Sequence, residues 1–275
     1  MVKILVTGHK GFIGSRLIDT LKNCDVVTDS INGKRINLLN IEEVMKIQPV
    51  DTVIHLGSKT KKELDWNEYY ENNVKGTLNV LEYCVKKNIK KIIFVSSYIY
   101  GKPKYYPIDE QHPISPHNLY TKSKFLAEEL CRTYSEKYKL NVIILRPFNI
   151  FGRTMQKKYL ISNLIESINT KEIVTITNRN SKRDFLHIDD FIDIIIKIKD
   201  YDFKFEIFNV GSGISYSFNE IIEIIEKTTS NKLNLRYEND EKSFIHDITA
   251  DISKIKKISK WNSKLSFQEV LKKKL

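Results

Sequence analysis

The chain has 275 residues, 41% hydrophobic and 29% charged, a composition too apolar for a disordered chain and too evenly mixed for a fibrous one. Its formal charge of +11 invites a polyanionic partner, but the lysines are scattered, with no dense arginine block and no aromatic–basic alternation. That pattern argues against nucleic acid and leaves attraction of a small, doubly charged substrate.

In chain order, the opening apolar run from Val2 to Val6 meets Gly8, Gly11 and Gly14 and then the amphipathic segment Ser15–Leu21, the layout of strand, tight turn and helix. Such a turn cradles phosphate. Gly8 permits the sharp turn, Gly11 lets the backbone approach a pyrophosphate, and Gly14 lets the helix close on the strand, with Phe12 and Ile13 supplying further amides at its positive end. Next, Asp25–Ser30 reads as a second strand, Arg35–Leu39 as a third and Ile41–Ile47 as a short helix. Asp29 stands near the end of strand two, where an acid accepts hydrogen bonds from an adenosine ribose and favours NAD. A solvated turn aspartate is the alternative, and Lys34 and Arg35 just beyond suit a 2′-phosphate, so NADP stays open.

Further short apolar runs follow at Asp51–Leu56, Lys91–Ser97, Asn141–Pro147 and Glu206–Gly211, separated by segments long enough for helices. Continuous rather than alternating strands between helices predict a doubly wound parallel α/β sheet. Leu78, Val80, Leu81 and Cys84 form one helical stripe, and Ser115-Pro116 reads as the start of a long helix reaching about Tyr138. That helix carries Tyr120 and Lys124 at i and i+4, on one face, where an ammonium favours the phenolate and equips the tyrosine for proton transfer. Ser96 and Ser97 lie where the strand Lys91–Val95 ends, the edge at which open α/β sheets build their sites. A serine there can hydrogen-bond the same substrate oxygen that the tyrosine serves; a turn that caps its own backbone is the alternative. Beyond about residue 153, helices at Leu160–Ile168, Asp189–Ile198 and Phe218–Lys227 and a strand at Ile173–Thr177 read as a smaller lobe. We place the boundary at 152, with a first domain of 1–152, a substrate lobe of 153–275, and segments such as 178–210 returning to the first.

Cys24, Cys84 and Cys131 show no paired spacing and read as free thiols, and the six histidines show no metal-ligand spacing, so no metal is expected. The most apolar later run, Phe191 to Ile198, is broken by Asp193 and Lys197. No membrane partner and a cytoplasmic, reducing location are the expectation.

The motif Thr7-Gly8-His9-Lys10-Gly11-Phe12-Ile13-Gly14 with Ser96 and Tyr120/Lys124 resembles the extended short-chain dehydrogenase/reductase superfamily, in its branch of NAD-dependent sugar epimerases and dehydratases. Further matches follow in order: Val53-Ile54-His55-Leu56, Asn73-Val74-Lys75-Gly76-Thr77, Arg146-Pro147-Phe148-Asn149, Arg183-Asp184-Phe185-Leu186-His187-Ile188-Asp189-Asp190 and Asn209-Val210-Gly211. The resemblance implies a Rossmann domain for NAD(P), a mixed α/β lobe for a nucleotide-diphospho-sugar, and a homodimer through a four-helix bundle. It implies that Ser96 and Tyr120 bind the oxygen at the hydride-transfer carbon and that Lys124 holds the nicotinamide ribose and tunes Tyr120. Leu56, Gly57, Ser58, Asn73 and Pro147 would line the cofactor, while Ser97, Tyr98, Asn149, Arg183 and Arg236 would meet the substrate. For Arg183 a structural pair with Asp184 or Asp189 is the alternative.

Departures from the pattern narrow the activity. The Asp-Glu pair that 4,6-dehydratases carry after the catalytic Ser/Thr is Ser97-Tyr98 here, and the Cys/His pair of 3,5-epimerisation is missing. Hydride transfer at C4 of a nucleotide-hexose remains, as a 4-epimerase or alternatively an NADPH-dependent reductase of a 4-keto-6-deoxyhexose. A non-catalytic nucleotide-binding relative is the lesser alternative.

Overall fold

The computed structural model describes residues 1–61, 64–152, 159–238 and 247–274. From the N-terminus come β1 (Lys3–Thr7), α1 (Phe12–Thr20), β2 (Asp25–Thr28), β3 (Ser30–Ile31), β4 (Lys34–Arg35), α2 (Ile41–Met45) and β5 (Thr52–His55). Next are α3 (Trp66–Tyr69), a turn of the wider π geometry (Tyr70–Lys75), α4 (Gly76–Lys86), β6 (Lys91–Val95), α5 (Leu119–Tyr138) and β7 (Asn141–Pro147). There follow β8 (Asn149–Phe151), α6 (Leu160–Thr170), β9 (Val174–Thr177), β10 (Lys182–His187), α7 (Ile188–Ile198) and β11 (Phe205–Val210). The chain finishes with β12 (Ser215–Ser217), α8 (Phe218–Thr229), β13 (Leu235–Glu238), α9 (Ser253–Ser259) and α10 (Phe267–Lys274).

The chain forms two compact units, Met1–Gly101 with Ile114–Pro147 and Ile194–Phe208, and Lys102–Pro113 with Phe148–Asp193 and Asn209–Leu275. The main sheet has the order β11-β7-β6-β5-β1-β2, and its strands β2, β1, β5, β6 and β7 run parallel. Apolar residues on both faces explain the continuous runs: Ile4, Leu5, Val53, Ile54, Ile92, Ile93, Ile143 and Ile144 are all fully buried. The chain leaves β1 for β2 on one side and returns to β5 on the other, so the strand order reverses at β1 and β5. Ligands of doubly wound sheets bind at the carboxyl ends of such strands. The second unit is smaller and mixed: β8 pairs parallel and β12 antiparallel with β10, while β9 and β13 form a parallel pair. Phe151, Leu164, Phe185, Ile221, Ile225 and Phe267 fill its core. The architecture is the doubly wound α/β sheet with a smaller mixed lobe that the sequence predicts.

Three local expectations are corrected. No strand spans Arg35–Leu39; Ser30 and Ile31 pair back on Arg35 and Lys34 as a hairpin. The cause is Asn32-Gly33, both at positive φ (50° and 77°), the two-residue turn that Asn-Gly favours. The long helix starts at Leu119 rather than at Ser115-Pro116. Asn118 caps it by accepting from the Thr121 amide at 2.8 Å, Thr121 Oγ1 accepts from the Asn118 amide at 3.2 Å, and the Ser115 amide is bonded to Ile99 O. The boundary lies at Pro147 rather than 152, because Asn149–Phe151 pairs with Phe185–His187, and Lys102–Pro113 joins the second unit through the Ile108–Ala250 bridge.

Candidate active site

β1 delivers the chain into the glycine turn with Gly8 at φ +72°, held by the Gly11 amide bonded to Gly8 O at 2.9 Å. A Cβ on Gly8 would lie 2.9 Å from Gly57 N and one on Gly14 would lie 2.2 Å from Gly8 O, so only glycine fits at either place. No side chain caps the amino end of α1, which leaves its first-turn amides and the positive end of the helix to an anion. Phe12 and Ile13 stand half-buried in that turn.

At the end of β2, Asp29 follows the register pair Val6–Thr28 and so stands beside the glycine turn. It is fully buried, with Oδ1 hydrogen-bonded by the His9 imidazole Nδ1 and Oδ2 3.4 Å from Arg35 Nε. Burial alone would raise its carboxyl; the hydrogen bonds from His9 and the Gly8 amide and the charge of Arg35 outweigh it and hold the group below the ordinary range. The acid read as a ribose acceptor is therefore already engaged by this chain's own side chains.

The long helix α5 presents Tyr120, half-buried with its ring 6.0 Å from that of Tyr69, and one turn later Lys124, which is 2% exposed. The Lys124 ammonium sits 4.2 Å over the ring of Phe94 on β6, and it makes no salt bridge among the described residues. Burial strips it of water and lowers its pKa to about 7, against the opposing charge of Glu128. Glu128 is itself held by Arg146 through Nη2 at 2.6 Å and Nε at 3.1 Å, and Arg146 Nη1 donates to Tyr100 OH at 2.9 Å, fastening α5 to β7. Two residues beyond Phe94, Ser96 is buried, and its hydroxyl has no hydrogen-bond partner. An orphaned buried hydroxyl at the end of a sheet strand is an exception to the rule that buried polar groups are paired. Ser97 and Tyr98 are half-buried just after it, with Tyr98 OH donating to Gly101 O.

A second set of polar residues, of which Asn73 alone was assigned a role from the sequence, ties these parts together. His55 is buried between Thr7 Oγ1, 2.6 Å from Nδ1, and Thr77 Oγ1, 3.0 Å from Nε2. Thr77 spends its hydroxyl proton on Asn73 O at 2.6 Å, so it accepts from His55 Nε2–H; Nδ1 must then accept from Thr7, whose oxygen takes the Gly57 amide at 3.2 Å. Every donor has one direction. Burial, with the nearby charge of Lys124, pushes the imidazole pKa down to about 3 and keeps it neutral. Asn73 continues the chain: its side chain clamps Lys59 N and O at 2.7 and 3.1 Å and donates to Ser123 Oγ at 2.9 Å, which donates to Tyr120 O. Asn73 thus positions backbone around the site. A histidine at the end of the apolar run Val53-Ile54 was the signal for this network. Leu56, Gly57 and Ser58 leave β5 within the same region, and Pro147 closes β7.

Of the residues expected to meet substrate, Ser97 and Tyr98 follow β6 in the first unit, while in the second Asn149 and Arg183 lie on the paired strands β8 and β10 and Arg236 lies apart from them. Asn149 Nδ2 donates to Asp184 O at 3.0 Å, Arg183 Nη1 donates to Lys182 O with its guanidinium 6.0 Å from the Phe218 ring centroid, and Arg236 is exposed on β13, in a different sheet. Asp184 pairs with neither arginine. It is fully buried and accepts from Ser212 N and Oγ, Gly213 N and Ala250 N at 2.6–3.2 Å. Among the described residues no group of three His, Cys, Asp or Glu side chains is placed to hold a metal ion, and no helix is long and apolar enough to cross a membrane.

A glycine-closed turn, a buried lysine one helical turn from a tyrosine, and an orphaned serine at a strand end are the elements that the sequence resemblance assigns to a dinucleotide-dependent hydride-transfer site. The model of the NAD-dependent epimerase/dehydratase family matches residues 4–211, and the chain belongs to that family. It is 30% identical, over 98% of its length and 96% of the relative's, to a putative UDP-glucose 4-epimerase of Methanocaldococcus jannaschii. Among solved structures it resembles the UDP-glucuronic acid 4-epimerase of Bacillus cereus in complex with UDP-glucuronic acid and NAD, with a TM-score of 0.88 and 25% identity over 98% of this chain and 96% of that one. The fold also matches RMD of Pseudomonas aeruginosa complexed with NADPH, with a TM-score of 0.91 and 22% identity over 99% and 97% of the two chains.

Proposed function

We propose that the chain is a nucleotide-hexose 4-epimerase that works on a UDP-sugar. The cofactor, when bound, supplies a hydride acceptor and donor. The turn Gly8–Gly14 and the amino end of α1 hold its pyrophosphate, and Lys124 meets its ribose. Tyr120 takes the proton from the sugar 4-hydroxyl and later returns one to the 4-keto oxygen, while Ser96 donates a hydrogen bond to that oxygen. The ammonium of Lys124, one helical turn away in a dry pocket, favours the phenolate of Tyr120. Arg183 and Arg236 are assigned to the substrate diphosphate, and Ser97, Tyr98 and Asn149 to its sugar end.

The observation that carries this reading is the pairing of an orphaned Ser96 hydroxyl with a lysine kept in a dehydrated site beside Phe94, because a binding module needs neither. The relatives' UDP-hexose and UDP-hexuronate substrates supply the substrate class. Exposed Trp66 and Tyr70, together with Leu119 and Leu126 of α5, support a homodimer through a helical bundle. Free Cys24, Cys84 and Cys131 support a reducing, cytoplasmic setting. The test is incubation of the purified protein with UDP-glucose, UDP-galactose and UDP-glucuronate. Interconversion at C4 without net redox, abolished by Tyr120→Phe, is expected; consumption of NADPH by a 4-keto sugar without interconversion would assign a reductase instead.

A further inference from the structure

The adenosine-ribose end of the site differs from what an NAD-selecting acid requires. Such an acid works in two ways: its oxygens accept from the ribose hydroxyls, and its charge repels a 2′-phosphate. In this chain Asp29 is engaged and shielded on both counts. The carboxylate is 0% exposed, Oδ1 receives His9 Nδ1–H and lies 3.4 Å from the His9 amide, and Oδ2 faces Arg35 Nε. A carboxylate only accepts, so the His9 proton is on Nδ1, and Nε2 lies 3.5 Å from Ser30 Oγ. What remains at the surface is cationic: the Arg35 side chain is 54% exposed, and Lys34 beside it and Lys10 in the glycine turn are exposed as well. The Asn32-Gly33 hairpin produces this placement. Its register sets Ser30 opposite Arg35, and the Ile36 amide bonds Asp29 O at 2.9 Å, so the guanidinium folds back onto the acid.

From this arrangement we infer that the subsite takes a 2′-phosphorylated adenosine ribose, so that the protein binds NADP(H) at least as tightly as NAD(H), with Arg35 as the phosphate-facing residue and His9 as the group that masks Asp29. The inference rests on the reading of the glycine turn as the cofactor cradle. A phosphate is acceptor-only, doubly charged and matched by a guanidinium. The carboxylate that would oppose it is buried under two donors.

The test is calorimetric titration of the cofactor-free protein with ADP-ribose and with 2′-phospho-ADP-ribose, ligands that report binding without turnover. The phosphorylated ligand is expected to bind as tightly or more tightly. Arg35→Ala should weaken it about tenfold and ADP-ribose little, as loss of a charge-assisted contact predicts. His9→Ala, which frees Asp29 Oδ1, should shift preference towards ADP-ribose. Tighter binding of ADP-ribose to the wild type, or equal weakening of both ligands by Arg35→Ala, overturns the inference and leaves the cradle intact. Failure of both ligands to bind overturns the cradle reading as well.

Discussion

Each unit buries an ionisable group against its preference, and the two are resolved in opposite ways. In the first, Lys124 is pushed down to about 7 by burial, and Ser96 nearby in sequence to its ring partner has no partner at all. In the second, Asp184 is pushed up by burial, yet four donors from residues 212, 213 and 250 satisfy it. A buried charge with its hydrogen-bonding capacity filled holds a loop in place. A buried base and an unfilled hydroxyl in the same unit leave capacity that the chain itself does not fill. Burial by itself therefore does not mark a site.

Variants can break this contrast, beginning with the largest effect. Tyr120→Phe removes the proton carrier and should lower kcat about a thousandfold while cofactor binding stays near wild type, measured by turnover and by titration. Lys124→Met should cost about a hundredfold in kcat by the same reasoning, and it carries a second signature. Below about pH 7 the folded wild type buries an ammonium, so the variant of the cofactor-free protein should melt at a higher temperature at pH 6. Between pH 7 and 10.5 the folded lysine gives up a proton that the unfolded chain retains, wild-type stability rises, and the gap narrows.

Smaller effects sharpen it. Thr77→Val removes the acceptor of His55 Nε2–H and the hydroxyl donated to Asn73 O, and should reduce kcat about tenfold by loosening the tie to Tyr120, with Thr77→Ser restoring it. Arg183→Ala in the second unit should instead raise KM about tenfold with kcat preserved, the mark of uniform substrate binding. Smallest is the contribution of His55 to acid stability. Its folded pKa of about 3 lies below the unfolded 6.5, so the unfolded chain binds the extra proton and stability falls as pH drops through that window. His55→Gln should flatten the decline by up to about 1.4 kcal/mol per pH unit in denaturant titrations.

The first unit was legible because its chemistry sits on regular spacings. Three glycines between an apolar run and an amphipathic helix, and Tyr120 with Lys124 at i and i+4, specify geometry locally; the strand end brings Ser96 and Ser97 to the edge, and the family resemblance selects Ser96. The Asn32-Gly33 turn was written in the sequence as well, but the basic pair after it hid the hairpin behind an apparent third strand. What did not show was who occupies whom. That His9 reaches Asp29, or that Asp184 answers to residues up to 66 positions away rather than to Arg183, depends on packing between distant segments. The separation of Arg236 from Asn149 and Arg183, which share a sheet, has the same origin, since motif order carries no information on which sheet each joins.

The account turns on hydride transfer at C4 with Tyr120 handling only the proton, and a deuterium label separates the two. The protein is incubated with UDP-[4-2H]glucose in ordinary water and the UDP-galactose formed is examined by NMR. Interconversion with the deuterium retained at C4 is the predicted result; loss of the label to solvent, or no interconversion of any UDP-hexose or UDP-hexuronate, would contradict it.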